Sequence, residues 1–212
     1  MRISVVVPAY NEASRIGAVL KPVLASSMVD EVIVVDDGSD DGTHAEASEF
    51  PVRTICLPQN GGKAAALAAG VTEAKNDTLL FLDADLVGLT TEHVDRLIEA
   101  YRDGELDMAI GVFSSGRAQT DIAQKLNPFA SGQRVISRRV WDRMTEYVGE
   151  MGYGVEFALS KLAAKENLRK EHVKLEGVTH VLKEEKRGFA KGMADRFRMY
   201  GDMIKWLFKK IT

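Results

Sequence analysis

The chain has 212 residues, 45% hydrophobic and 28% charged, with 18 Gly, 5 Pro, a single Cys and a formal net charge of −3. This balance excludes collagen-like, low-complexity, disordered and disulfide-stapled classes, and the length suits one α/β domain. The charge is divided, −11 over residues 1–107 and +8 over residues 108–212, which arises either from solvated faces or from one half built around a cation and another facing an anion.

In chain order, Ile3–Val7 is a β-branched run of the kind that forms a strand buried on both faces. Pro8 ends it without a small-residue cleavage site, so the opening reads as a strand and not as a signal peptide. Ala13–Leu24 predicts a helix and Val32–Val35 a second buried strand. Asp41-Gly42-Thr43 opens a helix running to Phe50, and Val52–Leu57 is a third strand. Gly61-Gly62 precedes an Ala-rich helix over Lys63–Glu73, and Thr78–Leu82 is a fourth strand. Right-handed crossovers then put all four strand C-terminal ends on one edge of a mostly parallel sheet, where open α/β sheets bind ligands. Asn11, Glu12, Asp36, Asp37, Ser39, Lys63, Asp83 and Asp85 all fall on that edge.

Further on, Thr91–Tyr101 predicts a helix capped at Thr90 or Thr91, and Met108–Phe113 a strand. Residues 114–131 read as a loop or short helix over the cleft. Ser137–Val148 and Val155–Glu166 read as helices, with late strands at His172–Leu175 and Val178–Leu182. From Phe189 onward apolar residues recur at helical spacing, and residues 183–212 hold 9 Lys or Arg against 4 acids. This basic amphipathic helix could dock on its own domain, on a second protomer as a homodimer, or on an anionic membrane. No stretch reaches the roughly 20 apolar residues that span a bilayer. Cys56 has no disulfide partner and no neighbours at metal-site spacing, which fits a reducing cytoplasm.

Asp83-Ala84-Asp85 follows an apolar run, and in an extended turn its alternate carboxylates share a face. Like charges so close need a cation, and hard carboxylate oxygens suit Mg2+ or Mn2+; an ordinary Asx turn is the plainer alternative. Asp36-Asp37-Gly38-Ser39 is a turn whose Asp37 or Ser39 could also reach a base or ribose. Gly61-Gly62-Lys63 opens a helix whose N-terminus favours anions, though it lacks P-loop spacing.

Together Val6-Val7-Pro8-Ala9-Tyr10-Asn11-Glu12, Val34-Val35-Asp36-Asp37-Gly38-Ser39-Asp40-Asp41-Gly42-Thr43, Gly61-Gly62-Lys63 and Phe81-Leu82-Asp83-Ala84-Asp85 resemble the family 2 glycosyltransferases over about the first 90 residues. The resemblance implies a GT-A fold, with a mostly parallel central sheet flanked by helices, and a nucleoside-diphosphate-sugar donor, usually UDP-linked. It implies that Pro8, Tyr10 and Glu12 line the base and ribose pocket, that Asp37 and Ser39 reach the base, and that Lys63 and Asp83 lie near the nucleotide. Asp85, with Asp83, would hold the metal that bridges the phosphates. Such an ion stabilises the charge growing on the departing diphosphate.

Ser131-Gly132-Gln133-Arg134 is similar to a segment of the polyprenyl-phosphate sugar synthases, which makes Arg117 and Arg134 candidates for an acceptor phosphate; a basic, solvated helix start is the alternative. Gly152-Tyr153-Gly154-Val155-Glu156 is similar to a segment of the glucosyl-3-phosphoglycerate synthases, implying that Glu156 lies near the acceptor and takes or orients its hydroxyl proton. Otherwise Glu156 is a carboxylate favoured by a helix dipole. His180 falls where those enzymes supply a metal ligand. The expected organisation is a GT-A domain over residues 1–188, divided into a nucleotide-sugar half (1–107) and an acceptor half (108–188), followed by the amphipathic helix 189–212. The expected partners are a nucleotide sugar and an anionic acceptor, with no nucleic acid, in the cytoplasm or peripherally at the inner face of the membrane. A nucleotidyltransferase and a catalytically silent nucleotide-sugar binder are the rival readings; the first would usually carry a Gly-rich, Arg-containing loop where Pro8-Ala9-Tyr10-Asn11-Glu12 stands.

Overall fold

Valine and isoleucine crowd the first strands because each is covered on both faces, and Val5, Val6, Val7, Ile33, Val34 and Val35 are fully buried. The computed structural model describes residues 1–114, 131–148 and 154–180. Strands β1 (Ile3–Ala9), β2 (Glu31–Asp36), β3 (Arg53–Cys56) and β4 (Thr78–Phe81) pair in parallel in the order β3-β2-β1-β4. Helices α1 (Ile16–Ala25), α2 (Thr43–Ala47) and α3 (Lys63–Glu73) make the crossovers. The C-terminal ends of all four strands therefore share one edge, as the alternating pattern requires.

After the two-residue strand β5 (Leu86–Val87) comes α4 (Thr91–Asp103), capped by Thr90, whose hydroxyl accepts from the His93 amide while His93 Nδ1 accepts from the Thr90 amide. The sheet continues with β6 (Met108–Ser114), β7 (Arg134–Ser137) and β8 (Lys170–Glu176), giving seven strands ordered β3-β2-β1-β4-β7-β6-β8. Only β7 runs antiparallel to its neighbours among these strands. Helices α5 (Arg138–Val148) and α6 (Val155–Lys165) flank this end, and β9 (Thr179–His180) forms a small second sheet with β5. Contacts divide the chain into a unit over Met1–Thr179 and a second over His180–Thr212. The predicted amphipathic helix over 189–212 and the loop over 115–130 lie outside the described residues.

Two departures from the sequence reading have local causes. Helix α1 starts at Ile16 and not Ala13, because a turn closed by the Arg15 amide on the Glu12 carbonyl, with Ser14 at φ 70°, occupies those positions. Arg134 opens a buried strand and not a solvated helix start.

Packing places α3 closely over the sheet. A Cβ on Gly70 would overlap the Val6 side chain, so glycine sets how near the helix lies. Arg138 fixes the far end of α3 by donating to the Val71 and Ala74 carbonyls at 2.7 Å each, charged donors where the helix dipole favours them. Trp141 anchors α5 against Phe81, ring centroids 5.3 Å apart and edge-on.

Candidate active site

Two loops at the sheet edge are laced together by backbone amides. The Asn11 amide donates to Ser39 Oγ (2.9 Å), Glu12 to Thr43 Oγ1 (2.8 Å) and Ala13 to Asp41 Oδ2 (3.1 Å), while the Asp40 amide donates to Asn11 Oδ1 (3.1 Å). Asn11 adopts a left-handed φ of 56°, which asparagine tolerates better than most residues. Pro8 near the end of β1 and Tyr10 on the loop after it are half-buried, and buried Glu12 accepts from Arg15 at 3.0 Å. Ser39 accepts from Asn11, and as a hydroxyl it keeps a hydrogen to donate.

Asp37, expected to reach the base, also has a structural task. Its two carboxylate oxygens accept from the Gly61 and Gly62 amides at 2.8 Å each, clamping the turn that opens α3. That clamp fixes the position of Lys63, the first residue of the helix.

Lys63 joins the two halves of the sequence. Its ammonium lies 2.5 Å from Asp83 Oδ1 at the end of β4 and 2.5 Å from Glu156 Oε1 in the first turn of α6. Burial alone would push this amine down, but the Asp83 and Glu156 charges outweigh it and hold it above the ordinary lysine value. Asp83 Oδ2 in turn accepts from Gln133 Nε2 at 2.7 Å, and Gln133 Oε1 accepts from the Ser131 hydroxyl at 3.0 Å. Gln133 is fully buried. Sequence reasoning passed over it; the only signal was a polar residue inside the Ser-Gly-x-Arg segment. Gly132 lies flat over the pair, so that a Cβ would stand 2.5 Å from Lys63 Nζ and 2.6 Å from Asp83 Oδ2.

Arg134, a candidate for an acceptor phosphate, is 1% exposed. Its guanidinium donates to the Ser131 carbonyl (2.9 Å) and Ser160 Oγ (3.0 Å), and Ser160 donates to the Glu156 carbonyl (2.8 Å). Burial pushes its pKa down to about 10, with the Glu156 charge opposing the shift. In this position it braces the start of α6 from beneath and does not face solvent. Arg117 and the side chain of His180 lie outside the described residues.

Asp83 and Glu156 are thus two carboxylates set against the Lys63 ammonium, and Asp85 stands two residues beyond Asp83 in the chain. Hard carboxylate oxygens are the donor type that Mg2+ or Mn2+ takes. Both Asp83 oxygens are already engaged, by Lys63 and Gln133.

Comparison with known proteins identifies the family and the fold. The family model for glycosyl transferase family 2 matches residues 4–156. The undecaprenyl-phosphate 4-deoxy-4-formamido-L-arabinose transferase of Aeromonas hydrophila is 38% identical over 112 residues, 48% of this chain and 34% of that protein. The dolichol-phosphate mannosyltransferase of Pyrococcus furiosus is 34% identical over 117 residues, 52% of this chain and 33% of that protein. The chain spans about a third of the length of these relatives. Among solved structures, glucosyl-3-phosphoglycerate synthase from Mycobacterium tuberculosis with Mn2+, UDP and phosphoglyceric acid superposes at a TM-score of 0.72, with 25% identity, covering 93% of this chain and 78% of that one. The same enzyme with Mg2+ and UDP gives 0.70 and 26%, covering 94% and 79%. With the GT-A sheet, the acidic strand ends and a family match over most of its length, the chain belongs to glycosyl transferase family 2.

Proposed function

We propose that the chain transfers a sugar from a UDP-linked donor to a phosphate-bearing acceptor, with Mg2+ or Mn2+ held chiefly by Asp85. The observation that carries this reading is the Lys63 ammonium held between Asp83, on the nucleotide-binding side, and Glu156, on the side read as the acceptor's. The bound ion would supply Lewis-acid stabilisation of the departing diphosphate.

The chain's own residues do the rest. The Asp37 clamp on Gly61 and Gly62 sets the N-terminus of α3, whose dipole favours the donor's phosphates. Gln133 fixes the orientation of Asp83 for a sugar or ribose hydroxyl, and Pro8, Tyr10, Glu12 and Ser39 line the nucleoside side. Lys63 compensates negative charge that grows in the transition state, the kind of preorganised stabilisation that accelerates a reaction. Glu156 accepts or orients the acceptor hydroxyl's proton. The phosphate on the acceptor rests on two kinds of protein similar to this one: a synthase solved with phosphoglyceric acid, and transferases named for lipid phosphates.

The test is incubation with UDP-glucose and Mn2+ alone, with 3-phosphoglycerate, with a short polyprenyl phosphate on anionic vesicles, and with the dephosphorylated forms of both acceptors. Faster UDP release and a glycosylated product with one phosphate-bearing acceptor, absent from its dephosphorylated form, support the proposal, and the responding arm tells a soluble acceptor from a lipid one. UDP release no faster than background across several nucleotide sugars would leave a silent binder, and pyrophosphate release from a nucleoside triphosphate would indicate nucleotidyl transfer.

A further inference from the structure

Asp36, His44 and Cys56 are far apart by motif spacing, yet the fold gathers them. Asp36 ends β2 and Cys56 ends β3, and the parallel register makes them direct partners across the two strands. His44 comes from α2, the helix that follows the β2 loop. A carboxylate oxygen, an imidazole nitrogen and the thiol sulfur all lie within 4.8 Å of one another, the one such group of three among the described residues.

The carboxylate supplies a second, independent observation. Asp36 is 1% exposed. Its Oδ1 accepts from the Ser39 amide at 3.0 Å, but Oδ2 meets only the Cys56 thiol, at 3.8 Å. A thiol is a weak donor, and at that distance it does little to offset the desolvation of a carboxylate oxygen. A buried polar atom so poorly matched calls for a partner, and an ion is one such partner. Cys56 and His44 are exposed, so the cluster opens to solvent.

We propose that Asp36, His44 and Cys56 form a transition-metal site for Zn2+ or a similar borderline ion, separate from the hard-oxygen site at Asp83 and Asp85. Sulfur, imidazole nitrogen and a carboxylate are the ligand types that Zn2+ takes, with solvent as the fourth ligand. Ligand atoms around tetrahedral Zn2+ stand roughly 3.3–3.8 Å apart, given bonds of about 2.0–2.3 Å. Rotation of the two exposed side chains by about an ångström closes the present gaps to that range. The Ser39 amide on Oδ1 would orient the carboxylate from behind, the usual place for a supporting hydrogen bond. Such an ion would tie the ends of β2 and β3 to α2, whose Thr43 holds the Glu12 amide.

Cobalt makes the site visible, because a thiolate bound to Co2+ gives a near-ultraviolet charge-transfer band and this chain has one cysteine. The full chain, stripped with a chelator and kept reduced, is titrated with Co2+ and then with Zn2+, beside Cys56→Ser, His44→Gln and Asp85→Ala. The expected result is one thiolate-bound Co2+ per chain, displaced by Zn2+. The band should vanish in Cys56→Ser, need at least about 10-fold more Co2+ in His44→Gln, and persist in Asp85→Ala. Both cluster variants alter exposed side chains, and circular dichroism confirms their folding. No thiolate band in the wild type, an unchanged titration in His44→Gln, or loss of the band in a folded Asp85→Ala protein would overturn the proposal.

Discussion

Gly132→Ala would place a Cβ 2.6 and 2.7 Å from the two Asp83 oxygens and 2.5 Å from Lys63 Nζ. Lys63 is long and can swing aside, but only by giving up its bridge to Asp83 and Glu156. Asp83 has a short side chain whose Oδ2 is held by buried Gln133, so it yields less readily. Overpacking of this kind costs about 1–3 kcal/mol. For a chain of this size that lowers Tm by roughly 2–12 °C. The catalytic loss should be greater, since misplacing a positioning group by an ångström costs about 100-fold in rate. Differential scanning fluorimetry and UDP release from UDP-glucose with Mn2+ measure the two effects on one preparation. A folded variant with kcat down about 100-fold is the expected outcome. Wild-type kcat and Tm together would refute the close packing of Gly132 on the Lys63–Asp83 pair.

Asp37→Ala removes two hydrogen bonds from backbone amides to a charged carboxylate, each worth about 1.5–3 kcal/mol, so urea denaturation should give a stability loss of about 3–6 kcal/mol together with weaker UDP binding. Lys63→Met leaves Asp83 and Glu156 without their shared cation. The two carboxylates then stand without the ammonium that bridged them, so the variant should show a lower urea midpoint than wild type. In the wild type the Lys63 value is raised, so the stability it lends is complete below its unfolded value of about 10.4 and fades only as pH climbs through the higher folded value. His172 is displaced the other way, lowered by burial and then by Lys170 and Arg134. Its unfolded form takes up a proton first as pH falls, so Tm should drop below about pH 6.5 and His172→Gln should flatten that drop.

The N-terminal half was legible because its signals are local. Four short apolar runs and short links gave the parallel strands, and Gly61-Gly62 marked the start of α3 at Lys63. The acidic residues were placed on the correct edge by topology alone. The rest depends on partners distant in sequence. Nothing near Asp37 indicates that its carboxylate is committed to Gly61 and Gly62, and nothing near Lys63 points to Glu156, 93 residues away. Strand β7 was missed because Arg134 and Arg138 around a short apolar core read as a solvated helix start. Arg134 is held in the interior by partners that include Ser131 and Ser160, which no periodicity displays. Two-residue β5 is too short for any period to register.

Calorimetric titration of UDP into wild type and Asp85→Ala, each with Mn2+ and with chelator, tests whether a metal bridges the diphosphate. Strong heat from the wild type with Mn2+, lost on chelation and absent from a folded Asp85→Ala protein, is the predicted result. UDP affinity that is indifferent to chelation, or undiminished by the substitution, would contradict a metal-bridged diphosphate at this sheet edge.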